Sequence, residues 1–381
     1  MENRIIYRLV LIGAISILFI TACRKTTNYA YQVEPLNAEK TIKYTHLIDT
    51  LPSSFIDTVN WIPLENSDFN VFKEISKLSV INDKVIIGDK QHGRIHVYEY
   101  PSGKYLYTID RKGNGPEEYL ETASFTVTPT SIYTLDNYSH KISRYSVKDG
   151  SFLEKKTISF VAWDMEAYDD DAFLFTWLSN NPEAPKPSSA IDNAVWLTDG
   201  DFNITETYLP VEDNYTEIYG KARYFTKHGN DIIFHALKYN GYFNFVRNKQ
   251  PVFFPIEFPN PLPEDHTLRL SDLKNISSQY LGETPFVSDN CTVFEITEGT
   301  DAQQMFASEE KIFGNSHNWA RNLPINIIGV TDNNKFIGYI NDNYEQYCQL
   351  IKYGFQKGTD EVENLLHKNG CCLIVYEIKT E

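Results

Sequence analysis

A unit of four short strands, its recurrence roughly every 45 to 50 residues, and 25 Tyr and 23 Phe against only 3 Met predict an all-β fold. The chain has room for six such units, which makes the fold a six-bladed β-propeller of four-stranded antiparallel blades. The repeat is legible at one offset. "KLSVINDKVIIGDKQHGRIHVYEYPSGKYL" ends at Leu106, and "SFTVTPTSIYTLDNYSHKISRYSVKDGSFL" ends 47 residues later at Leu153. At that offset Val80 meets Val127, Asp89 meets Asp136, Ile95 meets Ile142, Tyr98 meets Tyr145 and Gly103 meets Gly150.

In the first unit the strands fall near residues 74–81, 85–89, 94–100 and 104–110, separated by the turn residues "ND", "KQHG" and "PSG". Ile95, Val97 and Glu99 alternate with Arg94, His96 and Tyr98, the period of a strand. Later units keep the pattern in worn form. "NDIIFHALKYNGYFNF" from Asn230 matches "NDKVIIGDKQHGRIHV" from Asn82 at an offset of 148, close to three units. "NNKFIG" from Asn333 matches "NDKVII" again, and "AFLFTW", "AVWLTDGDFNI" and "CTVFEITEG" supply strands between.

Insertions interrupt the blades. "NNPEAPKPSS", residues 180–189, is a proline-rich polar loop. Residues 343–370 predict two short helices. One carries the stripe Tyr344, Tyr347, Ile351; the other carries Val362, Leu365, Leu366 between a capping box at Asp360 and Glu363 and a stop at Asn369-Gly370. "LSDLKNISSQYLG", residues 270–282, predicts a third helix. The stripes suit packing against the propeller.

The two ends predict how the ring closes. The final "CCLIVYEIKTE" aligns its "VYE", Val375 to Glu377, with Val97 to Glu99, a third-strand position. The last unit therefore lacks a fourth strand. "DTVNWIPLE", residues 57–65, is a strand without a repeat of its own and fills that gap. Residues 58–64 are expected to pair with residues 372–378.

The first residues specify an address. Arg4 and Arg8 precede an uncharged apolar run from Leu9 to Ile20, shorter than the roughly 20 residues of a membrane span. "ITAC" then places small residues before Cys23 and resembles the bacterial lipobox, in which the peptide is cut before the cysteine and the thiol is lipidated. The expected organisation is a signal peptide over 1–22, a lipidated cysteine and tether over 23–55, and one propeller over 56–381. Removing residues 1–22 takes the net charge from −16 to −17. That excludes nucleic acid as a partner and adhesion to anionic headgroups by charge. The expected membrane contact is the lipid anchor alone.

A lipobox, the orphan "WIPLE" and a "RKGNGPEEY" turn after the first blade together resemble the six-bladed, NHL-like β-propeller lipoproteins of Bacteroidota. The usual turn in that family looks like "GxGPGEY"; here Glu117 stands at the second of those glycines. The resemblance implies a membrane-anchored six-bladed propeller and little biochemistry. Arg24 and Lys25 follow the cysteine where an acidic run would resemble a surface-export signal. An outer-membrane lipoprotein on the periplasmic face is therefore expected.

The "RKGNGPEEY" stretch also raises the question of a phosphate-binding loop. Such a loop needs backbone N–H groups at the start of a helix. Here "TASFTVTP" follows, which is a strand, and Pro116 removes a donor. Gly113 and Gly115 read instead as turn residues free to take positive φ. Arg111 and Lys112 are retained as candidate ligand contacts, because interblade loops ring the channel mouth.

Catalytic motifs are sparse. The nine histidines have no zinc-helix spacing, and there is no GxSxG elbow. His92 and His140 occupy equivalent turns and read as solvated, as does the run "YDDD" from Tyr168 to Asp171. Asp164 and Glu166 are among many carboxylates, none singled out. Cys291, Cys348, Cys371 and Cys372 read as free buried thiols, with Cys371 and Cys372 facing opposite ways in one strand. Trp163 in "SFVAWDM" and Trp319 in "NSHNWARN" are candidate stacking platforms. No cofactor or metal is expected, and the protein is expected to be monomeric.

Two functional classes follow. The first is a binding or scaffold propeller for a glycan, peptide or envelope protein. The second is a propeller hydrolase or lyase with a channel metal, built from converging His and carboxylate side chains. The anchor is testable directly: Cys23→Ala is expected to abolish incorporation of a fatty-acid probe, and equal labelling of wild type and variant would contradict the lipobox.

Overall fold

The computed structural model describes residues 34–35, 41–43, 47–48, 53–65, 75–180, 186–211, 215–217, 221, 223–262, 277–299, 301–308, 311–314 and 325–379. Blade 1 is Lys77–Ile81, Lys84–Asp89, Arg94–Glu99 and Tyr105–Ile109. Blade 2 is Ser124–Val127, Ser131–Asp136, Lys141–Ser146 and Phe152–Thr157. Blade 3 is Asp164–Asp169, Ala172–Thr176, Asn193–Asp199 and Ile204–Pro210, and blade 4 is Phe225–His228, Asp231–Phe234, Gly241–Val246 and Val252–Glu257. Blade 5 has its innermost strand in two pieces, Gln279–Leu281 and Phe286–Val287, followed by Thr292–Glu298, Asp301–Ser308 and Lys311–Gly314. Blade 6 is Asn326–Val330, Phe336–Asn341 and Cys371–Ile378, completed by Ile56–Pro63. The innermost strands pack in sequence around one axis, that of blade 6 returning to that of blade 1.

The core lies between blades, so the middle strands are buried on both faces. Val85 and Ile87 join the cluster shared with blade 6, while Ile86 between them joins the cluster shared with blade 2. This is why "VIIG", Val85 to Gly88, is continuously apolar. Ser131–Asp136 is buried throughout for the same reason. The Asp shared by the first two repeats ends the second strand and caps the turn that follows: Asp89 accepts from the His92 amide (3.3 Å), and Asp136 from that of Ser139 (3.0 Å).

Closure follows the expected pairing. Ile56–Pro63 runs antiparallel to Cys371–Ile378, with Pro63 opposite Cys372, Ile62 opposite Leu373 and Trp61 opposite Ile374. The Leu64 amide extends the ladder to the Cys371 carbonyl (3.0 Å), and that of Glu65 reaches Gly103 of blade 1 (2.9 Å). Gly103, at φ +76°, leaves no room for a β-carbon, which would sit 2.1 Å from the Pro63 carbonyl oxygen. Upstream, Glu34–Pro35 and Ile42–Lys43 pair in parallel with the outer strand of blade 4, and Leu47–Ile48 with that of blade 5. Part of the segment read as tether thus covers two sheet edges that would otherwise present unpaired backbone.

Two helices, α1 (Tyr344–Tyr353) and α2 (Asp360–His367), form within 343–370. Tyr347, Leu350, Val362 and Leu366 pack with Cys372, Ile374 and Tyr376 of blade 6. The cap of α2 differs from the expected box. Thr359 accepts from the Val362 amide, while the Glu363 carboxylate takes Lys357 and the Tyr347 hydroxyl, both at 3.1 Å. The third helix, expected over 270–282, does not extend through 279–281, which are a strand; residues 263–276 lie outside the described residues. Tyr280 and Leu281 are buried opposite Thr297 and Ile296, so the sheet takes them. Cys371 and Cys372 fall in different interblade clusters, as their alternation requires, and the four described cysteines are free thiols.

Deleting residues 56–65 is expected to expose the edge of blade 6 and to shift the protein into aggregates on size-exclusion chromatography. A deletion variant as monomeric and stable as the full chain would contradict the closure.

Candidate functional site

Each innermost strand begins where an interblade connection ends, so residues at those starts gather at one end of the axis. The polar residues there converge on Asp164. Its Oδ1 accepts from Ser124 Oγ (2.5 Å), the Met165 amide (2.8 Å) and Lys77 Nζ (3.4 Å). Its Oδ2 accepts from the Tyr224 and Phe225 amides (2.8 and 3.0 Å). Glu166, two residues on along the same face, accepts from Thr126 (2.6 Å) and pairs with Lys77 (2.8 Å). Burial alone would lower the Lys77 pKa; Asp164 and Glu166 outweigh it and hold it above the ordinary lysine value. This hub pins blades 1, 2, 3 and 4 together at the axis.

Beside the hub, an axial channel of about 180 Å³ runs past Tyr168, Lys227 and Asp332. Lys227 donates to the Ala167 carbonyl (2.6 Å). Arg223 donates through Nη1 to the Ser76 carbonyl (3.3 Å) and stacks on Phe286 at 4.7 Å, while its buried Nε–H has no hydrogen-bond partner among the described residues.

Arg223, Phe286 and Ile328 also line a second cavity, of about 330 Å³, beside the broken innermost strand of blade 5. The break is drawn towards blade 4: Thr284 Oγ1 donates to the Tyr224 carbonyl (3.0 Å) and Thr226 Oγ1 to that of Pro285 (2.5 Å). The space this vacates lies against blade 6 and is walled by Ile75, Phe294 and Ile327. Glu283, Glu295 and Gln304 face it. Burial, and then the neighbouring Glu283 charge, push the Glu295 carboxyl up, with Arg223 acting against them. Gln304 Oε1 is buried with no hydrogen-bond partner among the described residues.

Glu217 and Lys221 form a fully buried pair at 3.8 Å in the connection between blades 3 and 4. Burial pushes Glu217 up and Lys221 down to about 8. The Leu237 amide and the Tyr215 hydroxyl donate to Glu217, and Lys221 donates to the His235 carbonyl (3.1 Å). These bonds fasten the connection to blade 4.

The residues singled out from sequence lie elsewhere. Arg111 pairs with Glu117 (2.8 Å) on the surface, and Lys112 is exposed. The glycines of that turn do not adopt positive φ. They are required for space: a β-carbon at Gly113 would meet Glu118 Oε2 at 2.1 Å. The turn wraps around that carboxylate, and the Gly115 amide donates to it (2.7 Å). An internal carboxylate thus occupies the amide that a phosphate would need. Trp163 is half-buried against the cluster between blades 2 and 3 and donates to the Leu178 carbonyl (2.9 Å). Cys23 and Trp319 lie outside the described residues. The "YDDD" run is more than a solvated turn. Asp170 accepts from Thr128, Thr130 and Tyr133 of blade 2 (2.6, 2.8 and 2.8 Å), and Asp169 pairs with Arg247 of blade 4. His92 is partly exposed and bonded to Asp89 (2.5 Å).

Sequence reading missed Lys77, Arg223, Glu283, Glu295 and Gln304. One signal was present. Lys77 and Ser124 are equivalent in the repeat, both polar at the head of an apolar strand, and both reach Asp164.

Six blades closed by terminal strands around a polar axis define a six-bladed β-propeller. The chain belongs to the DUF5128 family of 6-bladed β-propellers, matched over residues 30–305. No curated protein matches it. Among solved structures it resembles a Bacteroides fragilis protein described as exported, with a TM-score of 0.72 and 17% identity over 89% of this chain and 99% of that one. It also resembles a DUF4221 family member from Bacteroides vulgatus, with a TM-score of 0.53 and 9% identity over 86% of this chain and 98% of that one.

Asp164→Ala is expected to cost about 3 kcal/mol in chemical denaturation, because it removes one of the two carboxylates that balance the buried Lys77 ammonium and leaves the Met165, Tyr224 and Phe225 amides without their acceptor. Arg111→Ala with Lys112→Ala is expected to stay within about 0.5 kcal/mol. The reverse order would contradict the hub.

Proposed function

We propose that this propeller is an exported lipoprotein, anchored through Cys23, that binds a glycan, peptide or envelope protein without transforming it. The observation that carries the reading is the saturation of the axial carboxylate. Asp164 accepts five hydrogen bonds. That leaves no lone pair free to take a substrate proton or orient a water, so Asp164 serves as a fastener. Around it the axis offers rigid walls and fixed polar groups, which suit recognition. Arg111 and Lys112 are proposed as rim contacts, with Trp163 and Trp319 as stacking platforms.

Export is supported by the basic start, the apolar run Leu9–Ile20 and "ITAC", and agrees with the description of the B. fragilis protein of similar fold. Arg24 and Lys25 after the cysteine support the periplasmic face of the outer membrane. Incubating the purified protein with envelope glycan and peptide pools, then analysing bound and free fractions by mass spectrometry, tests the reading. Retained, chemically unaltered ligands are expected. Time-dependent cleavage products that require the protein would overturn it in favour of a hydrolase or lyase.

A further inference from the structure

The geometry points to a binding site for a small neutral polyhydroxylated ligand, of the monosaccharide class, in the cavity between blades 5 and 6. This deepens the reading of the propeller as a binding module and rests on it. The cavity is a departure from the repeat. The innermost strands of blades 1, 2 and 4 are continuous and those of blades 3 and 6 are so apart from a bulge; among the described residues blade 5 alone interrupts its innermost strand, between Leu281 and Phe286. The interruption is held open by hydrogen bonds to blade 4. It also costs ladder bonds, a local inconsistency of the kind that collects at functional sites.

The polar groups around the space decide the ligand class. Among the described residues, Arg223 Nε is a buried donor without an acceptor, and Gln304 Oε1 is a buried acceptor without a donor. A hydroxyl both donates and accepts, so a polyol can satisfy the two together. Glu283 and Glu295 add acceptors of the kind that take vicinal hydroxyls. An anion is disfavoured by these two carboxylates. A cation is disfavoured by Arg223 and would leave its Nε–H unmet. The charged lining residues are Arg223, Glu283 and Glu295, with Arg223 acting on Glu295, so the walls carry both signs and suit a ligand without net charge. Phe286 and Phe294 provide apolar wall for the C–H faces of a sugar ring. A volume of about 330 Å³ is at the small end for ligand pockets, which limits the occupant to about one ring.

The test uses the full-length protein in an amine-oxide detergent, which carries no sugar. Methyl glucoside, methyl galactoside, methyl mannoside and myo-inositol are titrated by calorimetry and saturation-transfer NMR, with glycine and inorganic phosphate as charged probes. Saturable binding of at least one polyol is expected, weakened about tenfold or more in Gln304→Leu and in Glu295→Ala. Thermal melts of both variants establish that they fold. If one does not, the other carries the comparison. Polyol binding undiminished in a folded variant would overturn this site while leaving the binding-module reading intact. Tighter binding of glycine or phosphate than of any polyol would overturn the ligand class. Binding of no probe would mean that the cavity holds water only and would overturn the site. Chemical turnover of a probe would instead overturn the proposed function itself.

Discussion

The ladder between Ile56–Pro63 and Cys371–Ile378 is the constraint on which the other contacts depend. It joins segments about 310 residues apart, and closing so long a loop costs on the order of 5 kcal/mol by the logarithmic rule. Burying Ile62, Leu64, Leu373 and Val375 in one cluster contributes roughly 1.5–3 kcal/mol each, enough to outweigh that cost. Once the ring is closed, every blade has two neighbours and every middle strand two buried faces. The hub at Asp164 then forms because four innermost strands are held at a common axis.

Closure also explains where function can reside. A ring of equivalent blades has little freedom in its walls, so recognition must come from departures from equivalence. The clearest departure is blade 5, whose innermost strand breaks and leans on blade 4. The innermost strands of blades 4 and 6 consequently approach each other, and the cavity opens beside them. The axial carboxylates are the opposite case: they look catalytic by composition but are consumed by internal hydrogen bonds.

Architecture was legible in the sequence because it rests on patterns that repeat. The Asp89/Asp136 match marked the repeat, "VYE" at Val375 marked strand position, and the unmatched "WIPLE" marked the closing strand. What escaped were features that occur once. Residues 279–281 carry helix-compatible neighbours, yet the empty innermost position of blade 5 draws them into the sheet. Gly113 and Gly115 suggested backbone freedom, whereas the requirement is space for the Glu118 carboxylate, a contact that spacing alone does not reveal. The cavity residues Arg223, Glu283, Glu295 and Gln304 are scattered over about 80 residues and belong to no motif. They meet only because two blades fold beside one another.

Hydrogen exchange at single-amide resolution tests the central claim most directly. If the terminal ladder holds the ring, the amides of Ile62 and Leu64, which face Cys371–Ile378, should exchange as slowly as those of Ile86 and Leu135 in the middle of blades 1 and 2, all opening together with global unfolding. Exchange of the Ile56–Pro63 strand by local fraying, orders of magnitude faster than in blades 1 and 2, would show that the ring stands without its closing strand and would contradict the account.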